Sequence, residues 1–164
     1  MRRRLAYPLR LGGALIPLLG CAASNPVAPT PSPTPAAASL SLSVSPDPVI
    51  ATETDDPQTP LRADWVVTIT TTGAGGAVSF VNATLRDAET GALPDPTGRL
   101  SLAAPDIAAQ AGTNRVPAGG SLRVAQGLDY APAADGRRGT LLVTVQLIDD
   151  HGNLVSRSVT VAVN

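Results

Sequence analysis

Few residues in this chain could do chemistry, because its 164 residues include one cysteine and one histidine. Cys21 ends the run Leu18, Leu19, Gly20, Cys21, which closes an apolar stretch over residues 9–19. Three arginines at positions 2–4 precede that stretch. A basic start, an apolar segment of ~7 to 15 residues and a small residue before the cut are the parts of a secretory signal peptide. We therefore expect cleavage between Gly20 and Cys21.

The same four residues resemble the lipobox of bacterial lipoproteins. That resemblance implies removal of residues 1–20, diacylation of the Cys21 thiol and a new N-terminus at Cys21. Two acyl chains hold a protein at a membrane, since each buried methylene contributes ~0.8 kcal/mol. An uncleaved spanning helix is disfavoured, because Arg10 and Pro17 interrupt the ~20 apolar residues that it needs. The predicted location is the cell envelope, and the outer membrane, facing the periplasm or the surface, if the host has two membranes.

A proline-rich segment follows the cysteine. Between residues 21 and 39, Pro29, Pro31, Pro33 and Pro35 alternate with threonine, serine and alanine. Such a segment cannot bury a core, and polyproline II geometry extends it by ~3.1 Å per residue. We interpret residues 21–39 as a tether, whose fourteen proline-rich residues 25–38 would hold a domain, residues 40–164, up to ~40 Å from the lipid surface.

Composition argues against nucleic-acid binding and catalysis. Without the four arginines of the signal segment, eight basic residues face thirteen acidic ones, a net charge of −5, whereas nucleic-acid binders carry a basic patch. The single histidine, His151, lies in a predicted hairpin tip, and no serine stands in a Gly-x-Ser-x-Gly elbow. One histidine and one acylated cysteine cannot supply the usual zinc ligands. We predict no enzyme activity and no cofactor.

Two acidic clusters leave a calcium site open as an alternative. Asp149, Asp150 and Asn153 surround one predicted turn, while Asp47, Glu53, Asp55 and Asp56 lie in or beside the first long connection. Calcium takes six to eight oxygen ligands, which both clusters could supply if they met at one end of the domain. Asp and Asn are also ordinary turn formers, so the competing interpretation is two solvated turns.

A glycan site is the second ligand alternative. Sugar binding needs aromatic faces, and the predicted domain offers only Trp65, Phe80 and Tyr130. Trp65 shares the parity of Val67 and is expected in the core. Phe80 has the opposite parity to Val81 and is the aromatic residue expected to be exposed.

From Ser39 onward the hydrophobic pattern has a period of two, which predicts strands. The third run, Val78 to Asp87, changes parity, which indicates cover on both faces or a β-bulge. Pro105, Asp106 and Gly112 allow a short helix over residues 105–111. Seven strands are predicted, over residues 40–44, 61–70, 78–87, 99–102, 121–128, 140–148 and 154–163.

Many short strands joined by glycine and proline turns predict an all-β sandwich. The segments Ser43 to Pro48 and Val143 to Val163 are similar to the first and last strands of bacterial Ig-like or fibronectin type III-like domains. That resemblance implies an antiparallel Ig-like sandwich and an adhesive, accessory or scaffolding role rather than catalysis. It transfers no site residues.

Two functions follow as hypotheses. The first is a lipid-anchored, non-catalytic module that binds another protein or has a structural role. The alternative is an accessory domain that binds an ion or a ligand, either Ca²⁺ or a glycan. The membrane, contacted through Cys21, and an unidentified protein are the predicted partners.

Overall fold

Alternating apolar residues build long antiparallel strands in this protein. The computed structural model describes residues 36–92, 98–132 and 138–164. The described residues form nine strands and one helix. These elements are β1 (Ser39–Ser45), β2 (Ala51–Glu53), β3 (Leu61–Thr72), β4 (Gly76–Asp87), β5 (Arg99–Ala103), α1 (Ala104–Ala111), β6 (Arg115–Val116), β7 (Ser121–Tyr130), β8 (Gly139–Asp149) and β9 (Leu154–Val163).

The first sheet is organised around β3. Strand β7 pairs with residues 61–70 of β3 on one side. On the other side, β2 pairs with the start of β3 and β1 pairs with its later part. Successive residues of β3 alternate between a buried inward face and a more exposed outward face. Trp65, Val67 and Ile69 are on the buried face. This confirms the predicted core position of Trp65.

The second sheet has β4 and β8 at its centre. Its order is β5, β4, β8, β9, and β6 continues the β5 side of β4. The register between β4 and β8 shifts between Val78 and Phe80, which confirms a β-bulge as the cause of the parity change. Strands β8 and β9 form the predicted hairpin, with Leu141 opposite Val161 and Leu147 opposite Val155.

One hydrophobic core lies between the two sheets, so the described residues form an all-β sandwich with one short helix. Helix α1 begins with Pro105 at its first turn, ends at Gly112 with φ +77° and buries Ile107. Glycine adopts this left-handed conformation more readily than other residues, so the helix stop at Gly112 agrees with the predicted helix over residues 105–111. Within the described residues, no helix is long and apolar enough to cross a membrane.

The strand count differs from the predicted seven. All seven predicted runs are strands, but Ala51–Glu53 and Arg115–Val116 add two short ones. A strand of two or three residues has too few positions to show a period of two, so its formation depends on pairing with a longer neighbour. Here β2 pairs with β3, and β6 pairs with β4.

Candidate binding surfaces

The predicted anchor lies outside the described residues. This applies to the cleavage site Gly20 and Cys21, to the signal segment 1–20 and to most of the tether. The first described strand, β1, starts at Ser39, one residue before the predicted domain boundary.

Asp149 is a structural carboxylate in the turn between β8 and β9. Its Oδ1 accepts the backbone N–H groups of His151 at 2.9 Å and Asn153 at 2.8 Å. Its Oδ2 accepts the Asn153 side-chain amide at 3.0 Å and the Ala38 backbone N–H at 3.4 Å. The Asn153 side-chain amide, followed by the backbone donors, lowers the pKa of Asp149 from 3.8 to about 2 despite burial.

These donors leave Asp149 poorly suited to a cation, because N–H groups point at the oxygens that a metal would need. The neighbouring Asp150 forms an ion pair with Arg115. His151 is exposed at the hairpin tip, as predicted, and its Nδ1 lies 3.9 Å from Asp149 Oδ2. The cluster therefore stabilises the turn and ties it to β1 and β6.

The second acidic cluster has similar local chemistry. Asp56 accepts the Gln58 backbone N–H and the Thr59 hydroxyl, each at 2.9 Å. The Gln58 backbone donor, with Thr59, lowers the pKa of Asp56. Asp55 is exposed beside it. This is the hydrogen bonding of a solvated turn.

The two acidic clusters lie at opposite ends of the sandwich. The loop of Asp55 and Asp56 leads into Leu61, the first residue of β3. Asp149 contacts Ala38, which precedes Ser39, the partner of Thr72 at the other end of β3. The eleven steps from the first to the last residue of β3, at ~3.3 Å each, span ~36 Å. The condition for a joint calcium site is therefore not met, and the described residues contain no group of three acidic, histidine or cysteine side chains placed to hold a metal.

The aromatic residues do not form a sugar platform. Trp65 and Tyr130 are buried, and Phe80 is half-buried on the outer face of the second sheet. Burial raises the pKa of the Tyr130 hydroxyl. A stacking site needs an accessible ring face, and Phe80 is the aromatic residue that partly offers one.

The first candidate binding surface is the free edge of β9. At its end, Val49 forms a parallel bridge with Val163, and the Val49 N–H donates to the Ala162 carbonyl at 2.9 Å. Backbone groups alternate in direction along a strand. Those of Ser156, Ser158 and Thr160 therefore point to the same side as those of Ala162. Among the described strands, none pairs with this segment.

Arg157 occupies the inward row of β9 opposite Val145, yet its side chain is exposed. A buried guanidinium without a partner would be costly, and the rim position of Arg157 avoids that cost. Its neighbours Val155 and Val159 are half-buried and pack against the core. Residues 155–159 of β9 are therefore less covered than Val161 and Val163, and none of the described strands pairs with their outer edge.

The second candidate surface is a cleft of about 380 Å³ on the opposite side of the sandwich. Its walls come from both sheets and from α1, and they combine leucines with a charged rim. The lining residues are Arg62, Asp64, Leu100, Leu102, Gln110, Ala125, Gln126 and Gly127.

Gln126 is the unusual residue of this cleft. The residue is 7% exposed, and neither its Oε1 nor its Nε2 has a hydrogen-bond partner among the described residues. It stands directly opposite Trp65, whose buried Nε1 also lacks a partner there. No site was predicted here from the sequence. The feature that could have indicated one is the polar Gln126 in a row of inward-facing apolar residues of β7, which are Leu122, Val124, Leu128 and Tyr130.

The rim of the cleft carries an ion network. Arg62 donates from Nε to Asp64 at 3.0 Å and from Nη1 to Asp129 at 3.1 Å. Asp64, followed by Asp129, raises the pKa of Arg62. The guanidinium lies over Gly127, where a Cβ would collide with Arg62 and Asp64. The Arg62 guanidinium is therefore already paired with two carboxylates.

Comparison with solved structures supports the fold alone. The chain is similar to a Bordetella pertussis protein described as ApaA, with 16% identity, a TM-score of 0.51, and coverage of 77% of this chain and 94% of that one. A second match, a structural-genomics target, has 13% identity, a TM-score of 0.47, and coverage of 77% and 86%. The Bacillus subtilis sporulation control protein Spo0M matches with 12% identity, a TM-score of 0.39, and coverage of 79% and 50%.

No protein-family model matches the chain. No curated protein matches it either.

Proposed function

We propose that this is a lipid-anchored protein of the bacterial cell envelope that displays a non-catalytic Ig-like domain for protein–protein interaction. The observation that carries the proposal is the free edge of β9. Along this edge, the backbone N–H and C=O groups of Ser156, Ser158 and Thr160 point away from β8. An exposed edge accepts an extended segment of another protein as an additional strand. Main-chain hydrogen bonds then provide affinity.

Strand topology supports the Ig-like part of the proposal. Ig domains place strands A, B and E in one sheet and C, F and G in the other. The order β1, β3, β7 and the order β4, β8, β9 correspond to those two sets. Strand β5 pairs with β4 instead of β7, as an additional strand on the C side does in variable-type domains.

The signal segment supports the anchor. Residues 18–21 have the lipobox pattern, and residues 25–38 have the composition of an extended spacer. Acylation at Cys21 would leave the spacer and the sandwich outside the lipid. A partner in the envelope would then meet the β9 edge at a distance of up to ~40 Å from the membrane.

Acyl labelling tests the anchor. Cells expressing the full chain are fed a labelled fatty acid, and the protein is followed by fractionation. We expect label in the wild type and in Ala22→Ser, the matched control that keeps the thiol, but none in Cys21→Ser. Label in Cys21→Ser would exclude Cys21 as the acylation site.

A proline substitution tests the β9 edge. Ser158→Pro removes an outward N–H, which an edge strand tolerates. Ser158→Ala is the matched control, because both variants lose the hydroxyl that lies 2.9 Å from the Thr144 hydroxyl and only the proline loses the N–H. A photo-crosslinker at Ser156 should capture a partner in wild type and Ser158→Ala and lose it in Ser158→Pro. Equal crosslinking in both variants would rule out strand addition at β9.

A further inference from the structure

We propose that the cleft between β5, α1 and β7 is a second binding site, which takes a neutral, extended peptide segment with an aliphatic side chain. The proposal is independent of the β9 edge, since β9 and β7 lie in different sheets and on opposite sides of the sandwich. It assigns a role to Gln126, whose carboxamide is buried without a hydrogen-bond partner among the described residues.

The chemistry of Gln126 selects an amide. A carboxamide presents an acceptor oxygen beside an N–H donor, and a peptide group presents the complementary N–H and C=O. A buried polar group without a partner is costly, so a ligand that satisfies both atoms recovers that cost on binding. Gln126 is one of the residues that line the cleft, but its two carboxamide atoms are buried, so binding requires the side chain to turn toward the ligand.

The backbone of β7 selects an extended segment. Thr71 donates its N–H to the Gly120 carbonyl at 3.1 Å, which places the even-numbered residues of β7 in hydrogen bonds with β3. The backbone groups of Ala125 and Gly127 consequently point away from β3. Both residues line the cleft, and none of the described strands pairs with this edge of β7. An extended peptide can therefore pair with β7 while its side chain enters the cleft.

The leucines and the rim define the rest of the ligand. Leu102 is buried and Leu100 half-buried, so the wall of the cleft suits an aliphatic side chain. The two acids around Arg62 already pair its guanidinium, which disfavours a carboxylate on the ligand. Trp65 and Tyr130 are buried and offer no open ring face for sugar stacking, which favours a peptide over an N-acetylated sugar.

The test is a titration of the mature protein with N-acetyl-leucine amide, followed by ¹H–¹⁵N NMR. Trp65 is the single tryptophan, so its indole N–H resonance reports on the cleft without ambiguity. We expect saturable shifts of that resonance and of the Gln126 side-chain amide, with millimolar affinity. N-acetyl-leucine, which carries a carboxylate, and N-acetylglucosamine should bind more weakly.

Gln126→Met removes the carboxamide at similar length and should weaken binding by about tenfold. Its melting temperature should equal or exceed that of the wild type, because an unsatisfied buried polar group is lost. Gln146→Met is the matched control: Gln146 lies on the outer face of β8, and this variant should bind like the wild type.

Three results would overturn the proposal. The first is the absence of saturable shifts in the wild type with N-acetyl-leucine amide, which needs no variant and stands even if Gln126→Met fails to fold. The second is unchanged binding by Gln126→Met. The third is tighter binding of N-acetylglucosamine than of the leucine amide, which would assign the cleft to a sugar.

Discussion

The sandwich has two lateral sides, and they are closed in different ways. On the side of β1 and β9, the chain after β1 crosses to the second sheet, where Val49 is buried and bonded by its backbone to Ala162 and Asn164. On the side of β5 and β7, helix α1 lies against β4, β5 and β7 and inserts Ile107.

The difference shows how each closure leaves a different kind of surface. A backbone closure uses the end of β9 and leaves the rest of that strand as a free edge of main-chain groups. A closure by one helix of eight residues covers only part of the gap between sheets and leaves a cleft. The first surface offers hydrogen bonds in a row, and the second offers apolar walls around one unpaired amide.

Truncation of β9 should have the largest effect. Deleting residues 159–164 removes the buried Val161 and Val163 and the backbone partners of Val49. At ~1.5 to 3 kcal/mol per buried valine, the loss approaches the whole stability of a small domain. We expect aggregation or an unfolded chain in size-exclusion chromatography and thermal melting. A monomer with an unchanged melting temperature would show that this side contributes little.

The helix closure should be the next most sensitive. Ile107→Ala is expected to cost about 2 to 5 kcal/mol, because the side chain is fully buried. Ile50→Ala is the matched control, since Ile50 is 54% exposed and should change stability by less than ~0.5 kcal/mol. Urea unfolding measures both. A loss below ~1 kcal/mol for Ile107→Ala would mean that α1 does not close the sandwich.

The turn at Asp149 connects the β9 side to β1, and its contribution should depend on pH. The pKa of Asp149 is lowered on folding from 3.8 to about 2, so its ionised form stabilises the protein above pH ~4. That stabilisation is lost as the pH falls from ~4 to ~2. Asp149→Asn should therefore lower the melting temperature at pH 7, and the difference from wild type should shrink toward pH 2.

Asp55→Asn, on an exposed loop residue, is the control for this pH series and should behave like the wild type throughout. A difference between Asp149→Asn and wild type that stayed constant from pH 7 to pH 2 would contradict the assigned role of the carboxylate.

Arg157 should give the smallest effect. It interrupts the inward row of β9 but is exposed at the rim, so Arg157→Ala should change the free energy of unfolding by less than ~0.5 kcal/mol. Val161→Ala, four residues along the same row, is the comparison and should cost more, because Val161 is buried. Equal losses in urea unfolding would mean that the first sheet also covers Arg157.

Much of the fold could be predicted from sequence, because burial on one face of a sheet imposes a period of two. The apolar runs over residues 140–148 and 154–163 predicted the two strands of the hairpin in this way. The bulge in β4 was signalled by its change of parity. Strands β2 and β6 could not be predicted, because they form only where a longer partner is already in place.

The binding surfaces were less accessible from sequence. Turn chemistry identified the loops of Asp56 and Asp149, but only the register of β3 shows that they lie at opposite ends. Gln126 could be seen as a polar residue in an apolar row. Its lack of a partner depends on what β5 and α1 place opposite it, which no local pattern contains.

Amide hydrogen exchange along β9 tests the central claim most directly. Odd-numbered residues of β9 bond to β8, whereas Ser156, Ser158 and Thr160 direct their N–H groups outward. In the isolated mature domain we predict slow exchange at Val155, Arg157 and Val159 and fast exchange at Ser156, Ser158 and Thr160. Equal protection of both sets in a monomer would show that the edge is already occupied, and it would contradict a free β9 edge as the interaction surface.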